Sequence, residues 1–388
     1  MAARIVLFGA TGYTGRLTAE AMVERGLRPV LAARSQDKLD ALADELGGDG
    51  LETMAADVAD PPSVAALVES GDILVTTVGP FARWGQPAAA AATTVGAHYL
   101  DSTGEPAFIR EVFKRYGPAA QQAGIGMLTA MGYDWVPGNL AGALALERAG
   151  ELATRVDVGY FITGSGSMSG GTRASLVGAI TAPAFGYRNG RVETERGARR
   201  VRSFRVGSKE LAAVSVGSSE HFALPRVAPR LREVNAYLGW FGPASRGMQA
   251  MSACTSVAMK VPGAEKLWNA ASERFVQGST GGPDAEARAK GGSHIVGIAY
   301  DAAGRQLTEV HLKGVDGYTF TGRMLAWAAG RAATDGLRGA GALGPVDAFG
   351  LGQLVAGCAE AGIAEEGGPR DAQPTKPVTA GAGWPRGV

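Results

Sequence analysis

The sequence predicts an α/β protein: a Rossmann-type doubly wound parallel sheet with a second α/β domain built on a largely antiparallel sheet. Three observations carry this expectation. An apolar, β-rich run from Ile5 to Phe8 feeds a glycine-spaced turn and then an alanine-rich helical pattern to about Arg25. Short β-branched runs then alternate with helical stretches to about Ala130, as in successive βαβ units. After about Gly150 the pattern changes to longer alternating segments, which suit half-exposed antiparallel strands.

The first turn reads Gly9-Ala-Thr11-Gly12-Tyr13-Thr14-Gly15. Gly9 permits a tight turn, Gly12 lets backbone approach a pyrophosphate, and Gly15 lets the helix pack close to the strand. The free N–H groups and positive dipole end of that helix then face phosphates. The spacing is G-x-x-G-x-x-G rather than G-x-G-x-x-G. Glycine makes up 58 of 388 residues, so the motif gains its weight from lying directly between a strand and a helix.

Arg28 to Ala33 reads as the second strand. An NAD site places an acid near its end, for the ribose 2′-hydroxyl. No acid lies between Arg25 and Asp37; Arg34, Ser35 and Lys38 stand there instead. A guanidinium, a hydroxyl and an ammonium suit a 2′-phosphate, so the expected cofactor is NADP. Ser35 equally suits the N-cap of the helix Asp37 to Leu46. Leu51 to Ala56 is a short strand ending at Asp57, expected over the adenine or capping a helix from Pro61 to Ser70. Ile73 to Val78 reads as a central buried strand, which places Val78, Gly79, Pro80 and Phe81 near the nicotinamide ribose. A helix from Gln86 to Val95, a strand from His98 to Asp101 and the loop Ser102-Thr103-Gly104-Glu105 follow. Pro106 to Gln122 is a helix, Gly126 to Ala130 a sixth strand, and Met131 to Gly138 the loop after it.

In the second half, Arg155 to Thr163, Gly190 to Glu195, Ser203 to Val206, His294 to Asp301 and Gln306 to Lys313 read as strands. Gly164 to Thr172 is a loop opening a helix from Arg173 to Thr181; Tyr318 to Ala333 and Ala348 to Ala361 are helices. The expected boundaries are 1–135 for the cofactor domain, 136–320 for a substrate or cover domain, 321–362 for a helical segment returning to the first domain, and 363–388 for a flexible tail.

Composition narrows the function. Net charge is +1, which offers nothing for nucleic acid or an anionic membrane surface. Two cysteines, Cys254 and Cys358, build no metal cluster. No His/Cys/Asp group has metal-ligand spacing, no G-x-S-x-G elbow occurs, and no tyrosine has a lysine four residues on. No run is long and apolar enough to span a bilayer and the chain enters a strand at once, so the expected location is the cytoplasm.

The glycine loop, Arg34, Val78-Gly-Pro-Phe81, Tyr99-Leu-Asp-Ser-Thr-Gly-Glu105 and Gly132-Tyr-Asp-Trp-Val-Pro137 together resemble the saccharopine dehydrogenase-like oxidoreductases. Within that group the chain is most similar to the actinobacterial trans-acting enoyl reductases, a likeness that extends to Ser219-Glu-His-Phe-Ala-Leu-Pro-Arg226 and Tyr318 to Ala326. The resemblance covers the chain to about residue 362. It implies NADP, a second domain shaping the substrate cavity, and a small-molecule or carrier-bound acyl substrate; a homodimer is compatible with it.

For an enoyl thioester, hydride adds at the β-carbon, a donor must stabilise the enolate, and a proton must reach the α-carbon. Tyr133, Asp134 and His221 are the candidate donors. Each also has a structural role open to it: Tyr133 in packing, Asp134 in capping a turn, His221 as a satisfied packing residue. Tyr160, Phe161, His221 and Phe222 are expected to cover the nicotinamide. Reduction of C=N is the alternative reaction, with Arg173, Arg226 and Arg246 as carboxylate ligands, and an NADP-binding sensor the alternative class.

Overall fold

The computed structural model describes residues 3–47, 50–164, 183–240, 242–258 and 281–367. Two sheets dominate. The first comprises β1 (Ile5–Phe8), β2 (Val30–Ala33), β3 (Thr53–Ala55), β4 (Ile73–Thr76), β5 (His98–Asp101), β6 (Gly126–Leu128) and, from far along the chain, β15 (Gly341–Ala342). Its order is β15-β6-β5-β4-β1-β2-β3 and every pairing is parallel. The order reverses between β1 and β4, which opens a crevice at their carboxyl ends.

The second sheet contains β7 (Arg155–Gly164), β8 (Pro183–Arg188), β9 (Arg191–Arg196), β10 (Val201–Val206), β11 (Lys209–Val216), β12 (Glu233–Leu238), β13 (Gly291–Tyr300), β14 (Gln306–Gly314) and β16 (Ile363–Glu365). Its main path is β10-β11-β12-β7-β13-β14-β16, antiparallel except where β12 runs parallel to β7. Strands β8, β11 and β12 lie outside the sequence expectation.

Several boundaries shift for local reasons. The stretch from Pro106 is interrupted: an α-helix Pro106–Glu111 gives way to a π-turn Val112–Tyr116 before Gly117–Ala123. Pro118 has no N–H to continue the i→i−4 ladder, and a widened turn absorbs the loss. The helix expected from Pro61 to Ser70 ends at Ala65, after which Leu67 and Val68 turn inward and are buried. A short helix, Phe81–Trp84, occupies what was expected as loop. The tail begins later than expected: β16 pairs with β14, Ile363 is buried, and Glu365 makes two hydrogen bonds with Arg148 at 2.6 and 2.7 Å. Residues 165–182, including the expected helix from Arg173, and the tail from residue 368 lie outside the described residues.

One helix joins the two layers. Val136–Ala149 is buried without a break from Val136 through Leu146, and only its last turn, with Glu147 and Arg148, reaches solvent. It packs on β7, β13 and β14 and on the helices Glu220–Val227 and Leu351–Ala361. Helix Gly317–Asp335 then lies along the glycine-loop helix Tyr13–Glu24. One apolar cluster therefore runs from Ile5, Leu7 and Val75 of the parallel sheet to Val158, Val234 and Ile295 of the mixed sheet.

Close approach of those two helices requires Gly322. A Cβ there would stand 2.9 Å from the carbonyl carbon and oxygen of Leu17, which backbone cannot yield. Gly322→Val is therefore expected to destabilise the chain by about 1–3 kcal/mol through overpacking, read as a lowered midpoint in chemical denaturation.

Candidate active site

The glycine loop is built by contact with its neighbours. Gly9 has φ +91, and a Cβ there would lie 2.8 Å from Thr77 Oγ1 and 2.9 Å from Val78. At Gly15 a Cβ would lie 2.0 Å from Gly9 O, so strand and helix meet without side chains between them. Gly12 differs: its Cβ would meet only Gly9 O, at 3.2 Å. The side facing away from the protein is open there. Gly12 is the helix N-cap and offers no side chain to the first N–H groups, and Thr11 and Thr14 flank it. The loop thus presents bare amide donors at a helix N-terminus, the arrangement that holds a pyrophosphate.

Tyr13 opens the helix and reaches across the molecule. Its hydroxyl donates to Pro283 O at 2.5 Å and accepts from Arg288 at 3.1 Å, and its ring meets Tyr318 edge-on at 5.3 Å. Residues of the second half therefore reach the start of the phosphate loop. At the end of β2, Arg34 and Lys38 are exposed, and Ser35 stands at the N-cap of helix Gln36–Glu45 without a side-chain cap bond. All three side chains remain available to a 2′-phosphate. Asp57 accepts from Ala59 N at 2.9 Å in its own turn, while Asp60 takes the N-cap position of the next helix; Asp57 as that helix's cap is thereby corrected.

Val78, Gly79, Pro80 and Phe81 follow β4, beside Gly9 across the switch point. Glu105 holds this turn. Its carboxylate accepts from Phe81 N at 2.8 Å and Ala82 N at 2.9 Å, capping the helix Phe81–Trp84. Below it, Asp101 Oδ1 accepts from Thr103 N and Ala130 N, which fixes the loop Ser102, Thr103, Gly104 against the chain leaving β6.

That chain places Asp134 at the same edge. A Cβ on Gly104 would lie 2.8 Å from Asp134 Oδ2. Asp134 Oδ1 is buried with no hydrogen-bond partner among the described residues. Burial pushes its carboxyl up to about 7. Desolvation favours the neutral acid here, because no donor stabilises the anion.

A second acid sits close by. Glu220 is fully buried, and its Oε1 lies 2.6 Å from the Tyr160 hydroxyl. That hydroxyl also lies 2.9 Å from Trp135 O. A phenol has one hydrogen and a carbonyl only accepts, so when Tyr160 donates to Trp135 O the proton of the other bond belongs to Glu220. Burial, with a small contribution from Asp134 nearby, pushes the Glu220 carboxyl up to about 7. Gly138 makes the arrangement fit, since a Cβ there would stand 2.0 Å from Tyr160 Oη. Tyr133 completes the group: its ring meets Tyr160 edge-on at 5.9 Å, and its hydroxyl donates to Phe161 O at 3.3 Å.

His221 stands apart from these groups. Its Nδ1 faces Ser218, at 3.0 Å from Oγ and 3.2 Å from the backbone N and O, and its ring packs on Phe185. Burial pushes it down to about 3, so it is neutral and carries no imidazolium proton to give. The expected cover also divides: Tyr160 and Phe161 point to opposite faces of β7, and Phe161 packs with Phe204 inside the mixed sheet. Phe222 stacks on Phe113 at 4.5 Å. Of the three arginines considered as carboxylate ligands, Arg226 donates to Ala342 O and Asp347, Arg246 is exposed, and Arg173 lies outside the described residues. Elsewhere, His294, His311 and Glu366 come together on the mixed sheet; the two rings hydrogen-bond each other at 2.8 Å, and Lys313 holds Glu366. No described helix is long and apolar enough to cross a membrane.

Glu220 escaped sequence reading because an acid in the first turn of a helix is explained by the helix dipole alone. Its burial is a property of the packed molecule.

Comparison with known proteins agrees with this geometry. Residues 5–128 match the family model of the saccharopine dehydrogenase NADP binding domain, so the first domain is of the NADP-binding type. A candidate trans-acting enoyl reductase of Mycobacterium tuberculosis is 37% identical over 188 residues, covering 46% of this chain and 44% of that protein. A trans-acting enoyl reductase of Mycobacterium ulcerans is 35% identical over 154 residues, covering 39% of this chain and 37% of that protein. The chain thus aligns with less than half the length of these curated relatives. Among solved structures, apo saccharopine dehydrogenase from Saccharomyces cerevisiae has a TM-score of 0.57 at 13% identity, over 94% of this chain and 99% of that one. A homospermidine synthase from Legionella pneumophila, in complex with NAD, has a TM-score of 0.58 at 11% identity, over 100% and 95%. Both share the fold. The chain is similar to the saccharopine dehydrogenase-like proteins and to trans-acting enoyl reductases among them.

The raised carboxyls give a pH signature. Folding raises both acids above their unfolded values, so the native state holds extra protons between about pH 4 and pH 7. The stability linked to them is fully present below about pH 4 and is lost as pH rises through about 7. Asp134→Asn should therefore gain in Tm over the parent chain more at about pH 8 than at about pH 4. An equal change at both pH values would contradict the assignment of a raised, neutral carboxyl at Asp134.

Proposed function

We propose that this chain is an NADPH-dependent oxidoreductase that reduces the C=C bond of an enoyl thioester at the junction of its two halves, with Asp134 as the proton donor. The observation that carries the reading is Asp134 itself: a carboxyl pushed to about 7, with an unpartnered oxygen, beside Gly104 at the carboxyl edge of the parallel sheet. A general acid works best with a pKa near the working pH. The names of the aligned relatives point to the same reaction class, and the NADP-type domain fits the bare amide loop and the exposed Arg34.

In this reading the chain binds the pyrophosphate at Gly9, Thr11, Gly12, Tyr13, Thr14 and Gly15 and the 2′-phosphate at Arg34, Ser35 and Lys38. Asp57 lies by the adenine. Val78, Gly79, Pro80, Phe81, Ser102, Thr103 and Gly104 line the nicotinamide end. The cofactor, when bound, supplies the hydride. Asp134 gives its proton to the α-carbon as the enolate collapses, and the apolar packing around Tyr133 and Trp135 keeps water away. Tyr133 and the Tyr160–Glu220 pair shape the wall opposite the parallel sheet. His221 supports that wall from behind. Residues 1–135 act as the cofactor domain, 136–320 as the cover, and 321–362 tie the two. The substrate is a small or carrier-bound acyl thioester.

Asp134→Asn should lower kcat for NADPH-dependent enoyl reduction by about 100-fold to 10,000-fold, with NADPH affinity unchanged. The parent kcat should fall as pH rises above about 7, as the acid ionises. A screen of enoyl thioesters, cyclic imines, and lysine with 2-oxoglutarate decides the reaction; turnover of imines alone would move the reading to C=N reduction. Arg34→Ala should weaken NADPH binding by about tenfold or more and leave NADH nearly unaffected, measured by titration of both cofactors. Equal NADPH and NADH affinities in the parent chain would remove the 2′-phosphate role of Arg34.

A further inference from the structure

The mixed sheet curls until β10 meets β13, with Phe161, Phe204, Tyr237 and Tyr300 packed inside the curl. A cavity of 510 Å³ opens at the mouth of that curl. Arg155, Arg199, Arg200 and Arg202 line it, above the buried pair Asp157 and Asn235. The pattern follows from strand alternation. Arg155 and Asp157 share one face of β7, and Arg200 and Arg202 approach from the β10 edge.

The arginines are held in two ways. Arg202 is fixed: it pairs with Asp157, bonds the Tyr300 hydroxyl and lies over that ring. Arg155 also lies over Tyr300, at 4.0 Å, with Asp157 3.5 Å away. Arg200 bonds both oxygens of Glu195, at 3.1 and 3.0 Å, whereas Arg199 reaches Glu195 only at 3.5 Å and its side chain is 54% exposed. Glu195 is shared with Arg188 as well, so one carboxylate serves three guanidinia. With Asp157 and Glu233 counted, cations still exceed carboxylates around the cavity. Arg155 Nε has no hydrogen-bond partner among the described residues and faces Asp157 Oδ1 only as an ion pair at 3.5 Å.

We propose that this mouth is a binding site for a phosphate-type polyanion, gripped by Arg199 and Arg200 and backed by Arg155 and Arg202. Guanidinium forks match phosphate oxygens in pairs, and each arginine here keeps unspent N–H donors. Nothing in the proposed reductase chemistry uses this site. It lies at the start of β7, whereas Gly164 at the other end of that strand abuts Lys290, in the segment that reaches Tyr13. Ten residues of strand separate the two ends by about 30 Å.

The test is calorimetric titration of the full chain with pyrophosphate, NADP⁺ being present throughout so that the glycine loop is occupied. Arg199→Gln/Arg200→Gln is expected to weaken pyrophosphate binding by about tenfold or more. Arg205→Gln removes one charge on the opposite face of β10, where the side chain is exposed, matching the charge change of Arg199→Gln alone, and should alter affinity by less than about twofold. Should the double variant fail to fold, Arg199→Gln alone decides, with about a threefold loss expected for this exposed side chain. Absence of pyrophosphate binding, unchanged affinity in the arginine variants, or an equal loss in Arg205→Gln would overturn the site. Citrate binding more tightly than pyrophosphate would overturn the phosphate assignment. A chain that ignores NADP⁺ but loses pyrophosphate in the double variant would leave this site standing while the cofactor reading falls.

Discussion

The rest of the structure depends on the burial of one helix. From Val136 through Leu146 it is buried without a break, so those three turns are stable only with protein around them. It follows β6 by a few residues, and its start fixes the preceding loop. Asn139 donates to Trp135 O from both its backbone and its side chain, at 3.1 and 3.0 Å. Gly138 lets Tyr160 and Glu220 close on that first turn. Asp134 is therefore carried into an apolar junction by a helix whose own driving force is hydrophobic. The acidity of the site is a consequence of packing: water leaves because the helix must be covered, and the carboxyls then prefer their protons.

The same constraint explains why the chain ends by crossing back. A parallel sheet needs cover on both faces, and the first domain lacks enough helices on the side of the glycine-loop helix. Helix Gly317–Asp335 supplies that cover, β15 extends the parallel sheet beyond β6, and β16 extends the mixed sheet beyond β14. The two sheets thus share a core and exchange their last strands. The floor of the junction is core packing, whereas its upper contacts, such as Tyr13 with Pro283 and Arg288, are polar and partly exposed. Local opening is expected at the second kind of contact, which buries the least apolar surface.

The parallel half was legible because its signals are local. Ile5 to Phe8, Ile73 to Val78 and the glycine spacing each announce an element within a few residues, and β1, β4 and the loop lie where they were expected. The mixed half was not. β11 sets four apolar residues, Leu211 to Val214, side by side, and β12 alternates only from Glu233 to Ala236, with the buried Asn235 in a polar position; neither offers a sustained period of two. Val136–Ala149 lacks a stripe because every side is covered as far as Leu146, so the moment that reveals a surface helix is missing. β16 has three residues and exists through pairing with β14. At the site, Asp134 could be named from the loop it occupies. The neutrality of Asp134, the pairing of Glu220 with Tyr160 and the isolation of His221 all follow from burial, which no local pattern encodes.

Net charge illustrates the limit best. A value of +1 over 388 residues offered nothing for nucleic acid or an anionic membrane surface, yet it is the sum of separated populations. Desolvation sorts them. At the junction burial holds the carboxyls of Asp134 and Glu220 up near 7, and among the described residues no cation repays their loss of water. At the wet mouth of the mixed sheet arginines keep theirs, because Asp157 and Glu195 sit against them and solvent reaches the rest. Burial even acts on Arg188, the deepest of that group, whose affinity for its proton it lowers while Glu195 and Glu233 restore part of it. One rule, the cost of removing charge from water, makes acids neutral at one end of the molecule and leaves cations in excess at the other. Where an ionisable side chain sits, rather than how many there are, decides what chemistry it can offer.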